Sequence, residues 1–401
     1  MRLYLLALNT TDSVTEGFLP AAARLGLEVT VLTDAAEQHR LAYAGSAAAP
    51  EVLACDVRDF REVVGLISRH HPADAVFTNS DHLQTQAALA ADYFGLPAKD
   101  WRATLRAKNK AEMRRHLAAA GADTVWSAEL PPESHPGGPE QAGIPFPCVV
   151  KPREGVASED VALAEDLPGL IRLCEQIRLR RPGAALVLEE FLGGELRTLE
   201  TLGDGTTRHV LGGFRTRLAP PPGFVEQALD FVHAHDRPVV DQVLAQLDAL
   251  GVGLGACHTE FVVQPDGRAR IIEVNYRAIG DRADLALARI LDIPYFEHVL
   301  RTHLGVPLPA ELGARTDVFG HNLAVCADRP GTLVAAPGPC DLVTDGVELC
   351  YRPLRGVGER HPHYRTNRDY LGLIWAFGPD PEAARQASQR FAAANRWEIA
   401  Q

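Results

Sequence analysis

The chain opens with two apolar runs of the length of buried strands, separated by a segment with helical spacing. Residues 2–8 (RLYLLAL) and 27–33 (LEVTVLT) are the apolar runs, and residues 16–26 (EGFLPAAARLG) lie between them. Continuous apolar runs of this length are typical of strands in a parallel sheet, which helices cover on both faces. The pattern therefore predicts a β-α-β unit at the start of the chain.

A third short apolar run, residues 73–78, is followed by an alanine-rich stretch over 78–97 that predicts a helix. Together these segments predict an α/β domain over residues 1–100. The first strand is followed by Asn-Thr-Thr-Asp at residues 9–12 instead of the GxGxxG turn that binds dinucleotides. A dinucleotide-binding domain is therefore not expected.

The segment NKAEMRRHLAAAGAD predicts a capped helix. Asn109 is a favourable N-cap with Glu112 three residues later, and Gly121 ends the helix. Lys110 then falls in the first turn, where a cation opposes the helix dipole unless an anion lies nearby. The alternatives are that Lys110 extends into solvent or that Lys108 binds the anion, and the capping argument favours Lys110.

Three further segments follow in an order that suggests a nucleotide site. Residues 146–152 (FPCVVKP) predict a buried strand that ends at Lys151, and a lysine there either reaches solvent or meets an anion. A loop of small residues, 153–161, and a helix over 168–180 come next. Residues 186–205 predict two strands joined at a Gly-Gly turn. The P-loop motif GxxxxGK[ST] is absent.

Residues 258–277 (HTEFVVQPDGRARIIEVNYR) predict a β-hairpin. Asp266 and Gly267 between apolar runs are a strong signal for a tight turn. If they are the central turn residues, the register sets Glu260 opposite Glu273. Like charges directly opposite each other are destabilising, which suggests a cation between them.

The same register predicts which side chains share the face of the two glutamates. Val262 and Ile271 pair nearer the turn, and His258 pairs with Asn275 at the open end. Oxygen ligands at this spacing suit Mg²⁺. The alternative is a solvated hairpin face with hydrated carboxylates.

Composition and charge narrow the class of protein. The chain has 401 residues, 46% of them hydrophobic, which suggests two to three globular domains. A net charge of −12 argues against nucleic acid or an anionic membrane as a partner, so small-molecule ligands are expected. There is no apolar run of membrane length, and the N-terminal apolar stretch is too short for a signal peptide. Seven cysteines without CxxC or zinc spacing favour a reduced, cytoplasmic chain.

Lysine is scarce in this chain. Of 40 basic residues only four are lysines, namely Lys99, Lys108, Lys110 and Lys151. A compact ammonium on a flexible stem suits phosphate oxygens in a confined pocket better than a planar guanidinium does. The few lysines are therefore candidates for specific roles.

Four segments in this order resemble the ATP-grasp superfamily of ATP-dependent carboxylate ligases. They are NKAEMRRHLAAAG, then FPCVVKP with its small-residue loop, then LVLEEFLGGE, then HTEF with DGRARIIEVNYR. Each motif is weak alone, but their order and spacing make the resemblance specific. It covers residues 1–310, and arguably the rest of the chain.

The resemblance implies a nucleotide site for ATP. The two lysines of the motifs would touch the phosphates, the backbone around residues 190–192 would hold adenine, and Glu195 would hold the ribose hydroxyls. The implied nucleotide contacts are Lys110, Lys151, Gly155, Ser158, Glu190, Phe191, Leu192 and Glu195.

It also implies a metal site and a catalytic pair. The implied ligands of one or two Mg²⁺ ions, or of Mn²⁺ in their place, are Glu260, Glu273 and Asn275. Arg277 would lie near the phosphate or the acyl substrate, since its fork reads planar oxygen pairs, and it forms with Lys151 the implied catalytic pair.

The sequence departs from the family pattern at the phosphate loop. Only Gly155 and Ser158 stand where such loops are usually richer in glycine and serine, and Glu159 and Asp160 follow. Acidic side chains would repel a triphosphate, so we expect them to point away or the loop to be long and mobile. Tyr276 also stands where the pattern often has proline.

Other polar residues are weaker candidates. His258 is expected to be a hydrogen-bonded structural histidine. Residues 212–238 resemble the substrate-side stretch of such ligases, where three side chains would line the pocket, although surface charge is the expected role of each taken singly; they are Arg215, Arg217 and Glu226. Contacts to the substrates are conceivable for Asp281, Arg282, Arg365 and Arg368.

The expected architecture is a multidomain protein of mixed α/β and α+β class. A Rossmann-like pre-ATP-grasp domain over 1–100 precedes an ATP-grasp domain over 101–310, whose second lobe begins near 186 and which binds nucleotide between its lobes. Residues 311–401 are expected to form a small α+β lid, with a strand and then a helix begun at 379–381.

The function implied by the resemblance is an ATP-dependent ligase that activates a carboxylate as an acylphosphate and couples it to an amine. The alternatives are an ATP-grasp carboxylase, a purine-pathway ligase, or a nucleotide-binding protein without turnover. The expected partners are small-molecule carboxylate and amine substrates, and a homodimer is a family expectation.

Overall fold

The computed structural model describes residues 1–45, 49–136, 138, 143–220 and 224–401. Within these ranges no helix combines the length and the apolar character needed to cross a membrane. The structure confirms the mixed α/β character of the chain.

The N-terminal segment forms a parallel sheet covered by helices. Its strands are β1 (Arg2–Leu6), β2 (Glu28–Thr33), β3 (Glu51–Ala54) and β4 (Ala75–Phe77), in the order β3-β2-β1-β4. Its helices are α1 (Leu19–Arg24), which continues a π-helical segment over Ser13–Phe18, α2 (Ala36–Tyr43), α3 (Phe60–Arg69) and α4 (Gln84–Tyr93). The predicted β-α-β unit is confirmed. Strand β3 was not predicted because only Val52 in it is fully buried, which leaves almost no apolar pattern.

The next segment builds an antiparallel sheet, the first lobe. Its helices are α5 (Trp101–Lys108), α6 (Lys110–Ala119) and α7 (Leu167–Arg180). Its strands are β5 (Ser127–Leu130), β6 (Cys148–Pro152), β7 (Ala162–Ala164) and β8 (Leu186–Glu190), in the order β5-β8-β6-β7. The Asn109 side chain caps α6, accepting hydrogen bonds from the backbone N–H groups of Ala111 and Glu112, as predicted.

A second, larger sheet follows. Its first strands are β9 (Glu195–Asp204), β10 (Arg208–Val210), β11 (Gly213–Leu218), β12 (Glu226–Val232), β13 (Leu254–Val263) and β14 (Ala269–Asn275). The helices in this part of the chain are α8 (Arg237–Leu250), α9 (Ala283–Leu291) and α10 (Tyr295–His303). Helix α8 packs on one face of the hairpin β13–β14, while α9 and α10 belong to the core on the other face of the sheet.

Four of the seven C-terminal strands continue that sheet. The seven strands are β15 (Phe319–Cys326), β16 (Gly331–Ala335), β17 (Cys340–Thr344), β18 (Val347–Pro353), β19 (Arg360–His361), β20 (Tyr370–Gly378) and β21 (Glu398–Ala400), with α11 (Pro381–Ala394) before the last. The order is β14-β13-β9-β11-β12-β15-β20-β18-β17, with β10 beside β9, and β19-β16-β21 form a separate small sheet. Because β15 pairs with β12, the segment after 311 shares its main sheet with the second lobe. The predicted domain boundaries stay predictions.

The hairpin register was predicted correctly at its open end and wrongly near its turn. Glu260 pairs with Glu273 and His258 with Asn275, but Val262 pairs with Arg270 instead of Ile271. The loop is one residue longer than predicted. The Gly267 N–H bonds to the Gln264 carbonyl, and Gly267 takes a left-handed conformation, the geometry of a three-residue loop.

A bulge then cancels the shift. The register changes between Glu260 and Phe261, where Ile272 is the extra residue on the facing strand. Two one-residue irregularities of opposite effect therefore leave Glu260 and Glu273 opposite each other.

Candidate active site

A cavity lies where the first lobe meets the second sheet. Its volume is about 270 Å³, near the lower end of the roughly 300–1,000 Å³ typical of ligand pockets. Its larger apolar lining residues are Val149, Val156, Val161, Phe191, Leu192, Leu196, Leu218, Phe224, Val262 and Ile272. Its charged lining residues are Lys110, Lys151, Glu159, Glu189, Glu190, Glu226, Glu260 and Glu273. The lining thus combines apolar walls with groups that can bind phosphate and metal.

The two predicted phosphate-binding lysines both line this cavity. Lys110 is 4% exposed and Lys151 is also 4% exposed. The Lys110 ammonium donates to Glu273 Oε1 at 2.9 Å, and Lys151 donates to Glu189 Oε2 at 2.9 Å. Burial disfavours the charge on Lys110, but the Glu273 carboxylate outweighs it and raises the pKa of Lys110.

Glu189 lies between Lys151 and Arg114 and bonds to both side chains. Its carboxylate accepts a bidentate pair of hydrogen bonds from Arg114, at 3.1 and 2.9 Å, besides the bond from Lys151. Burial opposes the charge on Glu189, but Arg114 and Lys151 outweigh it and lower the pKa of Glu189 to about 2. Burial lowers the pKa of Lys151 in spite of this carboxylate. Glu189 is thus a fixed anion that orients Lys151. It was not among the residues predicted for the site, although it lies within the segment LVLEEFLGGE.

Lys108, the alternative to Lys110, is the last residue of α5, whereas Lys110 is the first residue of α6. Its ammonium forms a close ion pair with Asp81 and lies 3.4 Å from the Gly155 carbonyl oxygen. Asp81 belongs to the segment between β4 and α4. Of the two lysines, Lys110 is the one that lines the cavity.

The glutamates of the hairpin lie beside Asn275 and His258, as their pairing predicts. Asn275 Nδ2 lies 3.4 Å from Glu260 Oε1, and His258 Nε2 lies 3.6 Å from the same oxygen. His258 Nδ1 lies 2.8 Å from Glu200, so it is a hydrogen-bonded histidine, as expected. Burial opposes the charge on His258, but Glu200 and Glu260 outweigh it and raise the pKa of His258 to about 10.

Glu226 lines the cavity, which contradicts its expected role as surface charge. The Asn367 amide donates to its carboxylate at 3.2 Å, and the Tyr370 hydroxyl donates to its carbonyl at 2.7 Å. Burial and then the charges of Glu260 and Asp281 raise the pKa of Glu226 to about 8. The sequence signal at this position was the resemblance of residues 212–238 to a substrate-side stretch, and surface charge was nevertheless expected because none of the four motifs includes Glu226.

The acidic residues of the phosphate loop are neutralised by arginines. Glu159 lines the cavity and forms ion pairs with Arg368 and, at 2.5 Å, with Arg181. Asp160 pairs with Arg180 at 2.7 Å and with Arg181 at 2.5 Å. The pair with Arg368 joins the phosphate loop to the segment that precedes β20.

The remaining predicted residues divide between the cavity and its surroundings. Those that line it are Gly155, Ser158, Glu190, Phe191 and Leu192. Asn275 and Arg277 lie behind the lining, and Arg277 Nε is 4.0 Å from Asp81. Glu195 lies outside the lining, with a side chain that is 45% exposed and pairs with Arg197 at 2.7 Å. Its role with ribose stays a prediction.

The hairpin oxygens fit a magnesium ion that arrives with a nucleotide. No group of three or more His, Cys, Asp or Glu side chains within the described ranges could hold a metal ion alone. Mg²⁺ is usually bound by one or two carboxylates together with substrate phosphates and waters. Glu260 and Glu273 supply such a pair, and the Lys110 ammonium already meets Glu273. The repulsion between the two carboxylates is therefore relieved by a lysine in this structure.

Solved structures of several ligases have the same fold. The L-amino acid ligase of Bacillus licheniformis superposes with a TM-score of 0.80 at 21% identity, covering 100% of this chain and 99% of that one. The phosphoribosylglycinamide synthetase of Anaerococcus prevotii gives 0.71 at 14% identity, covering 100% and 99%. The biotin carboxylase of Campylobacter jejuni gives 0.70 at 15%, covering 99% and 92%. The chain has the ATP-grasp fold that its motifs indicated.

Sequence comparison adds a relative of unassigned function. The uncharacterized protein y4rH of Sinorhizobium fredii (strain NBRC 101917 / NGR234) is 27% identical over 427 residues, covering 100% of this chain and 84% of the relative. No family model matches the sequence. The structural comparison therefore establishes the fold of this chain. The arrangement of the site residues is the basis for proposing an activity.

Proposed function

We propose that the protein is an ATP-dependent ligase that joins a carboxylate to an amine, with an amino acid as one of the substrates. The observation that carries the proposal is the cavity at the lobe junction, where two buried lysines face a pair of hairpin carboxylates. Apolar walls suit the adenine, and the lysines suit the phosphates. The fold shared with an L-amino acid ligase supports an amino acid as substrate.

The proposed reaction begins with phosphoryl transfer. A carboxylate oxygen of the first substrate attacks the γ-phosphorus of ATP, the bond to the β,γ-bridging oxygen breaks, and ADP leaves. Lys110 and Lys151 neutralise the phosphate oxygens during this transfer, which relies on positioning and electrostatics. The second substrate's amine nitrogen then attacks the acyl carbon, the bond to phosphate breaks, and the amine loses a proton to solvent.

Mg²⁺ would be held by Glu260, Glu273 and Asn275, and it would supply charge neutralisation at the phosphate oxygens. The phosphate loop over residues 153–161 would cover the acylphosphate and exclude water from it. Arg277 would grip an oxygen of the acyl substrate, since it lies two residues after Asn275 in the chain and carries a planar fork.

The test is ADP and phosphate release from ATP in the presence of paired amino acids, with product detection by mass spectrometry. We expect release that depends on both a carboxylate and an amine, and a product lighter by one water than the sum of the two. Bicarbonate replaces the carboxylate in a parallel arm. Release that needs bicarbonate would favour a carboxylase, and no substrate-dependent release would favour a nucleotide-binding protein without turnover.

A further inference from the structure

Lys99 is a buried cation that bonds only to neutral oxygens. It lies between α4 and α5 and is 7% exposed. Its ammonium donates to Gln84 Oε1 at 2.8 Å and to the Tyr276 carbonyl at 2.5 Å. The other three lysines form ion pairs with carboxylates, whereas no carboxylate among the described residues pairs with Lys99. Burying an unpaired charge costs free energy, and burial lowers the pKa of Lys99 to about 7. A lysine at this place therefore needs an explanation.

The contacts of Lys99 fix the position of Tyr276. Besides its hydrogen bond to the carbonyl, the ammonium lies 4.3 Å from the centre of the Tyr276 ring, which is a cation–π contact. The Tyr276 hydroxyl accepts a hydrogen bond from the Gly253 N–H at 2.8 Å, and the residue is 1% exposed. Both the backbone and the side chain of Tyr276 are therefore held in place.

Tyr276 is the central residue of a tight turn that follows β14. The Arg277 N–H bonds to the Asn275 carbonyl at 2.7 Å, which is the hydrogen bond of a three-residue turn. Asn275 is fixed by its strand pairing with His258. Arg277 lies beyond the strand, so its position depends on the turn instead. Whatever holds Tyr276 therefore sets where the guanidinium of Arg277 lies relative to the hairpin carboxylates.

The loop between β4 and α4 holds the same turn from the N-terminal sheet. Asn79 Oδ1 accepts a hydrogen bond from the Ala278 N–H at 3.2 Å, and Asp81 Oδ1 lies 4.0 Å from Arg277 Nε. The side-chain acceptor of the buried ammonium, Gln84, begins α4 at the end of this loop. The carboxyl ends of parallel strands are where such sheets place functional groups. The N-terminal sheet therefore contacts three consecutive residues next to the hairpin.

We propose that Lys99 is a positioning residue of the ligase, which links the loop after β4 to the turn at Tyr276 and so places Arg277 for the acyl substrate. This rests on the proposed function, because it concerns the substrate that Arg277 is proposed to grip. A compact ammonium with three N–H donors can serve two oxygens and a ring face at once. A neutral side chain without N–H groups would leave both oxygens without this donor, which costs free energy.

The test is Lys99→Met, which keeps the length of the side chain and removes the ammonium. We expect the KM for the carboxylate substrate to rise about tenfold, because a looser turn misplaces the group that binds this substrate. The KM for ATP should change by less than about twofold, since Lys110 and Lys151 have other partners. Steady-state kinetics with each substrate varied in turn measure both values. Asn79→Ala removes the acceptor of the Ala278 N–H and should act in the same direction, so it carries the test if Lys99→Met does not fold.

Tyr4→Phe is the matched control for general damage. Tyr4 is 0% exposed in β1, and its hydroxyl donates to the His71 carbonyl at 2.8 Å. His71 precedes β4, whereas the loop that contacts the turn follows this strand. The control thus loses a side-chain bond to a carbonyl, as Lys99→Met does, and both KM values should stay at the wild-type level. An unchanged KM for the carboxylate in Lys99→Met and Asn79→Ala, or an equal rise in both KM values, would overturn the proposal.

Hydrogen exchange measures the turn without turnover. If no amino-acid pair is ligated, the proposed function fails, and exchange at the amides of Arg277 and Ala278 still reports whether Lys99 holds the turn. These amides should exchange about tenfold faster in Lys99→Met than in Tyr4→Phe, as measured by mass spectrometry of peptides that cover residues 276–280. Equal protection in the two variants would overturn the role of Lys99.

Discussion

At the residue scale, the scarcity of lysine was the most useful signal. Lys99, Lys110 and Lys151 are all buried in the structure, and Lys108 forms an ion pair with Asp81. The Lys99 ammonium donates to the carbonyl of Tyr276 at 2.5 Å, and Tyr276 is the residue between Asn275 and Arg277. Burial lowers the pKa of Lys99 to about 7. In this chain a lysine marks a place where a compact cation is needed inside the protein.

Lys151→Arg should lower kcat at least a hundredfold although it keeps the positive charge. The Lys151 side chain is 5% exposed, and the Glu189 carboxylate it contacts is already held by the Arg114 fork. A guanidinium is larger and cannot deliver a point charge to phosphate in that space. Steady-state kinetics test this, and a fully active Lys151→Arg enzyme would contradict the argument from lysine scarcity.

Glu273→Gln should abolish turnover while the chain stays folded. The change removes a carboxylate that pairs with Lys110 and would bind Mg²⁺, yet it adds no cavity. Turnover should fall by about a thousandfold, with an unchanged circular dichroism spectrum. Glu175→Gln, on the exposed face of α7, is the control and should retain normal rates. Normal activity in Glu273→Gln would remove this residue from the site.

Glu226→Gln should make stability less dependent on pH. The folded-state pKa of Glu226 is raised to about 8, so between its ordinary pKa and pH 8 the folded state holds a proton that the unfolded state has released. Its contribution to stability therefore declines as pH rises through this window. Above pH 8 the variant should exceed the wild type by on the order of 1 kcal/mol. Urea unfolding at pH 5 and pH 8.5 measures this, and equal differences at both values would refute the shift.

At the element scale, the hairpin shows how two local irregularities can preserve a functional pairing. The longer loop around Gly267 shifts the register by one residue, and the bulge at Ile272 shifts it back. Ile272 also lines the cavity. The extra residue thus both restores the pairing of Glu260 with Glu273 and supplies part of the apolar wall.

The phosphate loop should be held closed by its contact with the C-terminal segment. Arg368→Gln removes one of the two arginine partners of Glu159, so the loop should open more often, and Glu159, left with Arg181 alone, should repel the nucleotide more strongly. We expect the KM for ATP to rise about fivefold to tenfold and proteolysis of residues 153–161 to become faster. Arg360→Gln, at an exposed position of β19, is the matched control. An unchanged KM for ATP would show that the pair is only a surface contact.

At the scale of the whole molecule, the two lobes meet through α6 as well as around the cavity. Arg114 of α6 bonds to Glu189 in the first lobe and donates to the Ile271 carbonyl in the hairpin at 2.7 Å. A ligand that fills the cavity would therefore contact two sheets that are already joined by hydrogen bonds from the buried Arg114. Binding should stabilise the entire fold.

MgATP should raise the free energy of unfolding by about 2.7 kcal/mol at a hundred times its Kd. The rise should be larger than with ATP and a chelator, because the hairpin carboxylates repel a triphosphate that lacks its cation. Thermal denaturation with and without EDTA measures the difference. The metal-dependent part should vanish in Glu273→Gln, and its persistence there would place the metal elsewhere.

The sequence by itself determined the motifs and their order. It also predicted the pairing of the two hairpin glutamates, which the structure reaches only because the longer loop and the bulge at Ile272 cancel each other. These depend on short-range rules, namely strand periodicity, the N-cap at Asn109 and the turn signal at Asp266 and Gly267. They predicted individual helices and strands, because these patterns are set within a few residues, whereas the fold was predicted from the resemblance of four ordered segments to the ATP-grasp superfamily.

Only the tertiary structure decided which distant residues join the site. Glu189 lies within the LVLEEFLGGE segment but was not a predicted site residue, and Glu226 lies in none of the four motifs; both line the cavity because the sheets bring them there. Arg368 lies outside the lining and pairs with Glu159, which is part of it. The preference for Lys110 over Lys108 stays a prediction, and it is supported by the ion pair of Lys108 with Asp81, 27 residues away. Burial and electrostatic pairing act through space, so they cannot be read from spacing along the chain.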